Sequence, residues 1–335
     1  VHAWGEIYTG ISAKDYMDGT SNFYGVHSVT LYVDSVQVFN STTDKVLPDE
    51  NRMINGFTDY EELTRTRRLI MRSYKLPGNR LRLLHPNENR GAVTIDEERD
   101  YHFRYVLEDN FGNRRTYQFI VKGKRQDIPE YKPEANEMLY WNRTNVIQKP
   151  GMELVVPRYY VYEDVPLRTD MRGDSSHIAF DYILDAGRTP IHSYCDLSIG
   201  LRHMPVADTT KYYIVQKAGK WRSSMGGKYA NGWIKTRVRS LGTFSVDVDT
   251  IAPQITPIGQ GGWRTSRNIR FRIKDMESGI GSYKVYIDGK FVLFGLKKGI
   301  LVIQNPEKVK KGVSHKLEVT VTDQCGNMTR KEYKF

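Results

Sequence analysis

The sequence predicts an all-β protein, and three observations carry that prediction. Aromatic residues are abundant, with 22 Tyr, 12 Phe and 5 Trp, an enrichment that favours strands over helices. Stretches of alternating residue type end in Asp-Gly or Asp-Ser pairs, the signature of a β-hairpin. Two such hairpin-bounded units recur far apart in the chain, so the fold is built from related units rather than one large core.

The first unit opens with Tyr24-Gly25-Val26-His27-Ser28-Val29-Thr30-Leu31-Tyr32-Val33-Asp34 and re-enters a strand at Val36-Gln37-Val38-Phe39. Its counterpart is Ser278-Gly279-Ile280-Gly281-Ser282-Tyr283-Lys284-Val285-Tyr286-Ile287-Asp288-Gly289, followed by Lys290 to Phe294. Each unit closes on a second matched hairpin. One runs Tyr101 to Asp109, turns at Phe111-Gly112-Asn113 and returns at Tyr117-Gln118-Phe119. The other runs His315 to Asp323, turns at Cys325-Gly326-Asn327 and returns at Tyr333-Lys334-Phe335. Gly and Asn accept the positive φ that such turns demand. Two copies of this unit predict two related immunoglobulin-like β-sandwiches.

Thr58-Asp59 can cap a short helix over Tyr60 to Met71, with acids in its first turn and bases later, as the helix dipole favours. Gln126-Asp127-Ile128-Pro129 to Lys132-Pro133 is a linker, because its prolines cannot extend a central strand. Further strands are expected at Glu153 to Pro157, Tyr159 to Tyr162 and Tyr212 to Val215. Asp247-Val248-Asp249-Thr250-Ile251-Ala252-Pro253 is expected to be a second hinge between domains. The organisation is therefore three tandem modules. Residues 1–126 form an immunoglobulin-like sandwich with an inserted helix, 127–252 a middle β-domain, and 253–335 a second immunoglobulin-like sandwich. A length of 335 residues agrees, since one core seldom serves so long an all-β chain.

Hydrophobic content of 39% and charged content of 27% fit a globular chain and argue against long disorder. No apolar run is long enough to span a bilayer as a helix. The opening Val1-His2-Ala3-Trp4-Gly5 is neither an initiator Met nor a signal peptide, so the sequence is expected to be a fragment or a processed product. The net charge of +11 suits an anionic cell-envelope polymer as partner. The basic residues are spread out, with short clusters only at Arg65 to Arg68 and Lys308 to Lys311. No zinc-finger or helix-turn-helix pattern accompanies them, so nucleic acid is not an expected partner. Cys195 and Cys325 have neither metal nor redox spacing; two buried thiols and one long-range disulfide both remain open.

Five segments carry residues that chemistry could use. His177 and Asp181 have the His-x-x-x-Asp spacing of some zinc ligands, but the His-x-His that would complete a zinc site is missing, so an ordinary turn histidine is expected. Asp174-Ser175-Ser176-His177 gathers an acid, a hydroxyl and an imidazole, yet local adjacency is not a triad, and a polar turn is expected. Asp15 to Asn22 offers oxygen ligands around Gly19 without the alternation of a calcium loop, so a hydrogen-bonded turn is favoured. Asp96-Glu97-Glu98 is expected to be a solvated turn, because paired glycosidase acids must face each other across a cleft. Trp221, Tyr229 and Trp233, beside Gly226-Gly227, could stack on sugar rings; packing is the competing role for such rings. They are the one candidate ligand platform. No catalytic, cofactor-binding or metal-binding residue is assigned.

Several of these segments together resemble a known family. They are Tyr16-Met17-Asp18-Gly19-Thr20-Ser21-Asn22 with Tyr24-Gly25-Val26 and Leu31-Tyr32-Val33-Asp34; Pro77-Gly78-Asn79-Arg80-Leu81; Asn87-Glu88-Asn89-Arg90-Gly91; Asp96 to His102; and Leu241-Gly242-Thr243-Phe244-Ser245-Val246 through Pro253. This pattern is similar to the region that follows the catalytic domain in lysostaphin-type zinc metallopeptidases of Gram-negative bacteria. In that family a His-x-x-x-Asp pair and a later His-x-His bind zinc in a domain that cleaves peptidoglycan cross-bridges. Here the His-x-His is absent and the Gly usual between His and Asp is missing, so no catalytic residue carries over. The resemblance implies a parent peptidase whose zinc-bearing catalytic domain, N-terminal to Val1, is the partner of this region. It also implies export to the periplasm, the outer membrane or the exterior. The function expected is a non-catalytic positioning region of a secreted cell-wall peptidase. The alternative is a glycan-binding or adhesive surface module.

Overall fold

The structure, a computed structural model, describes residues 1–16, 19, 22–130, 132–266, 268–303 and 313–335. Met17, Asp18, Thr20 and Ser21 of the Asp15 to Asn22 loop, and Lys308 to Lys311, lie outside the described residues. The protein is all-β: strands occupy about 48% of it and helices about 6%.

The hydrogen-bonded sheets fall into three groups along the chain. The first group centres on a six-stranded sheet ordered His2–Ala3, Arg114–Gly123, Asp100–Glu108, Ser28–Val33, Val36–Thr42, Leu84–Pro86. Alternation decides which residues go inside: Val29, Leu31 and Val33 are buried while their neighbours are not. The hairpin turn has φ 48° at Asp34 and 70° at Ser35, the mirror-image geometry that matches strand twist. Among the described residues the opposite layer holds no second full sheet. It is made of two-stranded ribbons and a helical insertion whose Met53 and Phe57 join the core.

The expected helix is there but shorter. It spans Tyr60–Thr66, and the Asp59 carboxylate accepts the Glu62 N–H at 3.0 Å. It ends at Arg67, in the left-handed region at φ 66°. Met71, expected to be helical, instead pairs as a strand with Ile11 and is buried there. Partnership with a distant strand overrides the local helical pattern. A second short helix, Ile54–Phe57, has no clear mark in the sequence.

The middle group has two sheets. One is ordered Glu137–Leu139, Val165–Arg172, Asp181–Asp185, Gly242–Val248, Tyr212–Ala218, Trp221–Ser224; the other Asn145–Lys149, Met152–Val156, Cys195–Gly200, Trp233–Val238, Lys228–Ala230. Their inner faces share a core that includes Leu154, Tyr182, Leu197, Ile214, Ile234 and Phe244. Tyr159 to Tyr162, expected to be a strand, is a turn region. The last group also has two sheets. Gln254–Ile258, Arg270–Lys274, Ile300–Ile303 and Phe294–Lys297 form one, and Lys290–Phe291, Ile280–Ile287, Lys316–Asp323 and Met328–Lys334 the other. Between them lies a core around Phe271, Val285, Leu301 and Val319, with Trp263 set edge-on to Phe271.

Candidate functional site

The chemistry-bearing residues gather at the two places where these groups of sheets meet. At the first, Tyr162 leaves the middle group and enters the core of the first, where it is 3% exposed. Its hydroxyl donates to the Arg52 carbonyl at 2.8 Å and lies 3.0 Å from His192 Nδ1. Its carbonyl accepts the Gly78 N–H at 2.6 Å. Gly56 and Gly78 are glycines for a steric reason: a Cβ at either would come within about 3 Å of Tyr162 or its backbone. Burial raises the Tyr162 hydroxyl above its ordinary range and lowers His192, which favours the neutral form of each. The Arg80 guanidinium sits 4.6 Å over the Tyr159 ring and adds a second contact across this joint.

Beside Tyr162 an open cleft of about 750 Å³ is lined by Tyr60, Arg72, Lys132, Glu163, Arg168 and Arg188, among others. Burial raises the Glu163 carboxyl, and Arg72, 4.0 Å away, opposes that shift. Such a wall of mixed charge suits a polar group.

The second meeting place is a polar knot. Asp249, expected to lie in a hinge, is fully buried. It accepts from the Ser278 N–H at 3.1 Å and from the Ser278 hydroxyl. It also accepts from the Ile251 N–H at 2.9 Å, and its carbonyl accepts from Asn327 Nδ2 at 3.0 Å. The segment is therefore a clamp and not a hinge. Lys211 Nζ donates to the Cys325 carbonyl at 3.0 Å, and the Tyr213 hydroxyl reaches Glu277 at 3.4 Å. Tyr213, Val215 and Cys325 form a small apolar cluster beside the knot.

Asp249, Asp275 and Asp323 place carboxylate oxygens within 4.8 Å of one another. Hard cations take such oxygens. Here each carboxylate accepts N–H donors: Glu277 and Gly279 on Asp275, and Cys325 and Asn327 on Asp323. Burial, with the Asp249 charge adding to it, raises the Asp323 carboxyl against the lowering pull of Asn327.

The other sequence candidates are placed as follows. Asp181 is ion-paired with Lys217, while His177 Nδ1 lies 2.9 Å from Asp174, so His177 and Asp181 have separate partners. The Ser176 hydroxyl donates to Asp174 at 2.6 Å, so Asp174 to His177 is a polar turn, and the serine's bond to Asp174 holds that carboxyl far below its usual range. Glu97 pairs with Arg99 at 2.8 Å, and the Asp96 and Glu97 N–H groups donate to the Tyr101 hydroxyl. Cys195 and Cys325 are both free and buried, and burial pushes their thiols up to about 12 and about 11.

Trp221, Tyr229 and Trp233 do not share one surface. Trp221 is on an edge strand of one sheet and is 81% exposed. Tyr229 pairs across from the buried Ile234, and Trp233 across from Ala230, in the other sheet. Adjacent positions point to opposite faces, so Tyr229 and Trp233 diverge. Trp233 packs over Gly200. Trp221 is the most open of the three rings, 81% exposed against 36% for Tyr229. The sequence placed a hinge at Asp247 to Pro253 and a linker at Gln126 to Pro133, but not the contacts of Tyr162, Ser278 and Asn327 that close these joints.

Residues 136–249 match the model of the Zu5-like domain family. No characterised protein sequence matches the chain. Among solved structures, one similar chain is a Ca²⁺-stabilised adhesin of an Antarctic bacterium that binds ice, at 11% identity and TM-score 0.17, covering 98% of this chain and 93% of that one. Another is the Bacteroides ovatus mixed-linkage glucan utilization locus protein SGBP-B with a mixed-linkage heptasaccharide, at 12% identity and TM-score 0.16, covering 97% of this chain and 62% of that one. A third is the cadherin domains 1–4 of protocadherin gamma B7, at 11% identity and TM-score 0.19, covering all of this chain and 73% of that one. At these scores no activity transfers from any of them.

Proposed function

We propose that this chain is a rigid positioning segment of a cell-envelope protein, holding what is attached to it at a set distance and angle. The observation that carries this reading is the pair of closed joints: an aromatic plug at Tyr162 and a buried polar knot at Asp249. A chain meant to flex would leave its linkers solvated, because relative motion is the default between tandem domains. Here one linker is welded by hydrogen bonds to both neighbours. The net charge of +11 suits an anionic envelope polymer nearby. The narrower reading, that the attached part is a lysostaphin-type zinc peptidase domain, rests on the sequence resemblance alone; none of the matches described above is a metallopeptidase.

A second reading, a glycan-binding or adhesive surface module, is favoured by one observation, the open Trp221 ring beside Lys220 and Arg222. One experiment addresses both. The chain is incubated with purified peptidoglycan and with a glycan panel, and bound protein and released peptides are measured. The positioning reading expects no release, and only charge-driven binding that salt weakens and Trp221→Ala leaves unchanged. Binding abolished by Trp221→Ala moves the chain to the adhesive reading, and peptide release overturns both.

A further inference from the structure

The outer face of one middle sheet carries a cluster of cations. Alternation along Trp233–Val238 turns Trp233, Lys235 and Arg237 away from the core that Ile234 and Val238 join. In the neighbouring edge strand Lys228 stands directly across from Lys235, and Arg239 follows just beyond Val238. Lys228, Lys235, Arg237 and Arg239 are all exposed. On the other side Asp196 registers with Arg237, and Gly200 with Trp233. Among the described residues no carboxylate, Asp196 included, forms an ion pair with any of the four cations. By contrast Arg222, on the other sheet, is paired with Asp247 at 2.6 Å.

Two features separate this patch from scattered surface charge. The first is the Lys228–Lys235 pair, since like charges directly opposite each other destabilise a sheet. Protection of an open edge accounts for Lys228, on the edge strand, and not for Lys235 and Arg237 one strand in. The second is Tyr194. Its ring, 48% exposed, has the Arg239 guanidinium 4.9 Å from its centroid and that of Arg237 at 5.8 Å. Stacking uses the flat face of a guanidinium and leaves its in-plane N–H donors free. Neither arginine side chain donates to an acceptor among the described residues. Both forks are thus steadied by one ring with their donors unused. On the same face the half-buried Trp233 ring lies against Gly200, 3.6 Å from where a Cβ would stand.

We propose that this face binds an anionic polysaccharide. The arginine forks and the Lys228–Lys235 pair take successive anionic groups, spaced by roughly 7 Å between alternate residues of the strand. An anion between Lys228 and Lys235 also relieves their repulsion. Trp233, next along the same face, offers its ring to a sugar. The inference rests on the positioning reading in placing the chain beside an anionic envelope polymer, and adds the face that meets it. That face lies within one group of sheets, away from the joints. Open joints with this binding intact would therefore count against the positioning role alone, and closed joints without binding against this site alone.

The test uses the whole chain and an end-labelled oligogalacturonate, read by fluorescence anisotropy. Saturable binding that salt weakens is expected. Lys235→Gln with Arg237→Gln should weaken it by roughly tenfold, through lost charge-assisted bonds. The control pair Arg270→Gln with Arg272→Gln, equally exposed on alternate positions of a strand in the last group, should leave it nearly unchanged. Tyr194→Ala should weaken binding by roughly threefold, because the forks lose their ring. Tyr194→Phe should bind like the parent, since the ring and not the hydroxyl holds them. If Tyr194→Ala does not fold, Arg239→Gln takes its place with the same expected loss. No binding, equal loss from the two glutamine pairs, equal binding of the neutral methyl-esterified oligomer, or equally tight binding of an oligothymidylate would overturn the proposal.

Discussion

Two turns of this molecule have the same construction in different surroundings. Asp109 accepts the Phe111 and Asn113 N–H groups at 2.8 and 2.9 Å and the Asn113 side-chain amide at 2.6 Å. Asp323 accepts the Cys325 and Asn327 N–H groups at 2.8 and 2.9 Å and the Asn327 side-chain amide at 2.8 Å. Yet Phe111 is 92% exposed and Cys325 is 3% exposed. The carboxyls shift oppositely as well. Hydrogen bonding to Asn113 lowers Asp109, while burial beside Asp249 raises Asp323. The turn is a local property of Asp-x-x-Gly-Asn. Whether it becomes a bare tip or half of a joint depends on the surface that meets it, here Tyr213, Val215 and Lys211.

That contrast can be broken by mutation. Asp323→Ala strands three N–H donors where little water reaches, and should cost about 3 kcal/mol or more in urea denaturation. Asp109→Ala removes the same bonds where water replaces them, and should leave the unfolding midpoint nearly unchanged. Equal effects would mean that the joint does not shield its turn. Next in size is the exchange of the middle residue. Cys325→Phe overfills the contact with Tyr213 and Val215 and should cost about 1–3 kcal/mol. Phe111→Cys should be silent in the same thermal melts.

The smallest effect is that of pH. The Asp323 carboxyl lies above its ordinary 3.8 when folded, so the native protein takes up this proton first as pH falls. Its contribution therefore becomes more favourable from neutral pH down toward 3.8 and is level below that. Asp109 behaves in the opposite sense: its stabilisation is present above 3.8 and is lost as pH falls through its lowered folded value. Carboxyl ¹³C titration should place the two aspartates on opposite sides of 3.8. Finding both on one side would remove the contrast.

The paired turns were legible because their signal is contiguous. Alternation gave Ser28–Val33 and Lys316–Asp323, and Asp-Gly and Gly-Asn gave the turns. The helix at Tyr60 was legible at its cap and not at its end, since Met71 is claimed by Ile11, far away in sequence. The Trp221, Tyr229, Trp233 platform looked coherent along the chain and came apart because strand register sends neighbours to opposite faces. The clamp at Asp249 was hidden for a different reason. Its donors, Ser278 and Asn327, lie on other elements, and nothing at Asp249 itself announces them.

The central claim is that the joint around Asp249 is rigid, and a distance distribution tests it most directly. Spin labels at Lys220→Cys and Lys284→Cys report across the joint, and the native thiols, buried and raised to about 12 and about 11, stay unlabelled. Double electron–electron resonance should give one narrow distance peak in the parent chain and a broad one once Asp249→Ala is added. A broad distribution already present with Asp249 in place would contradict the account.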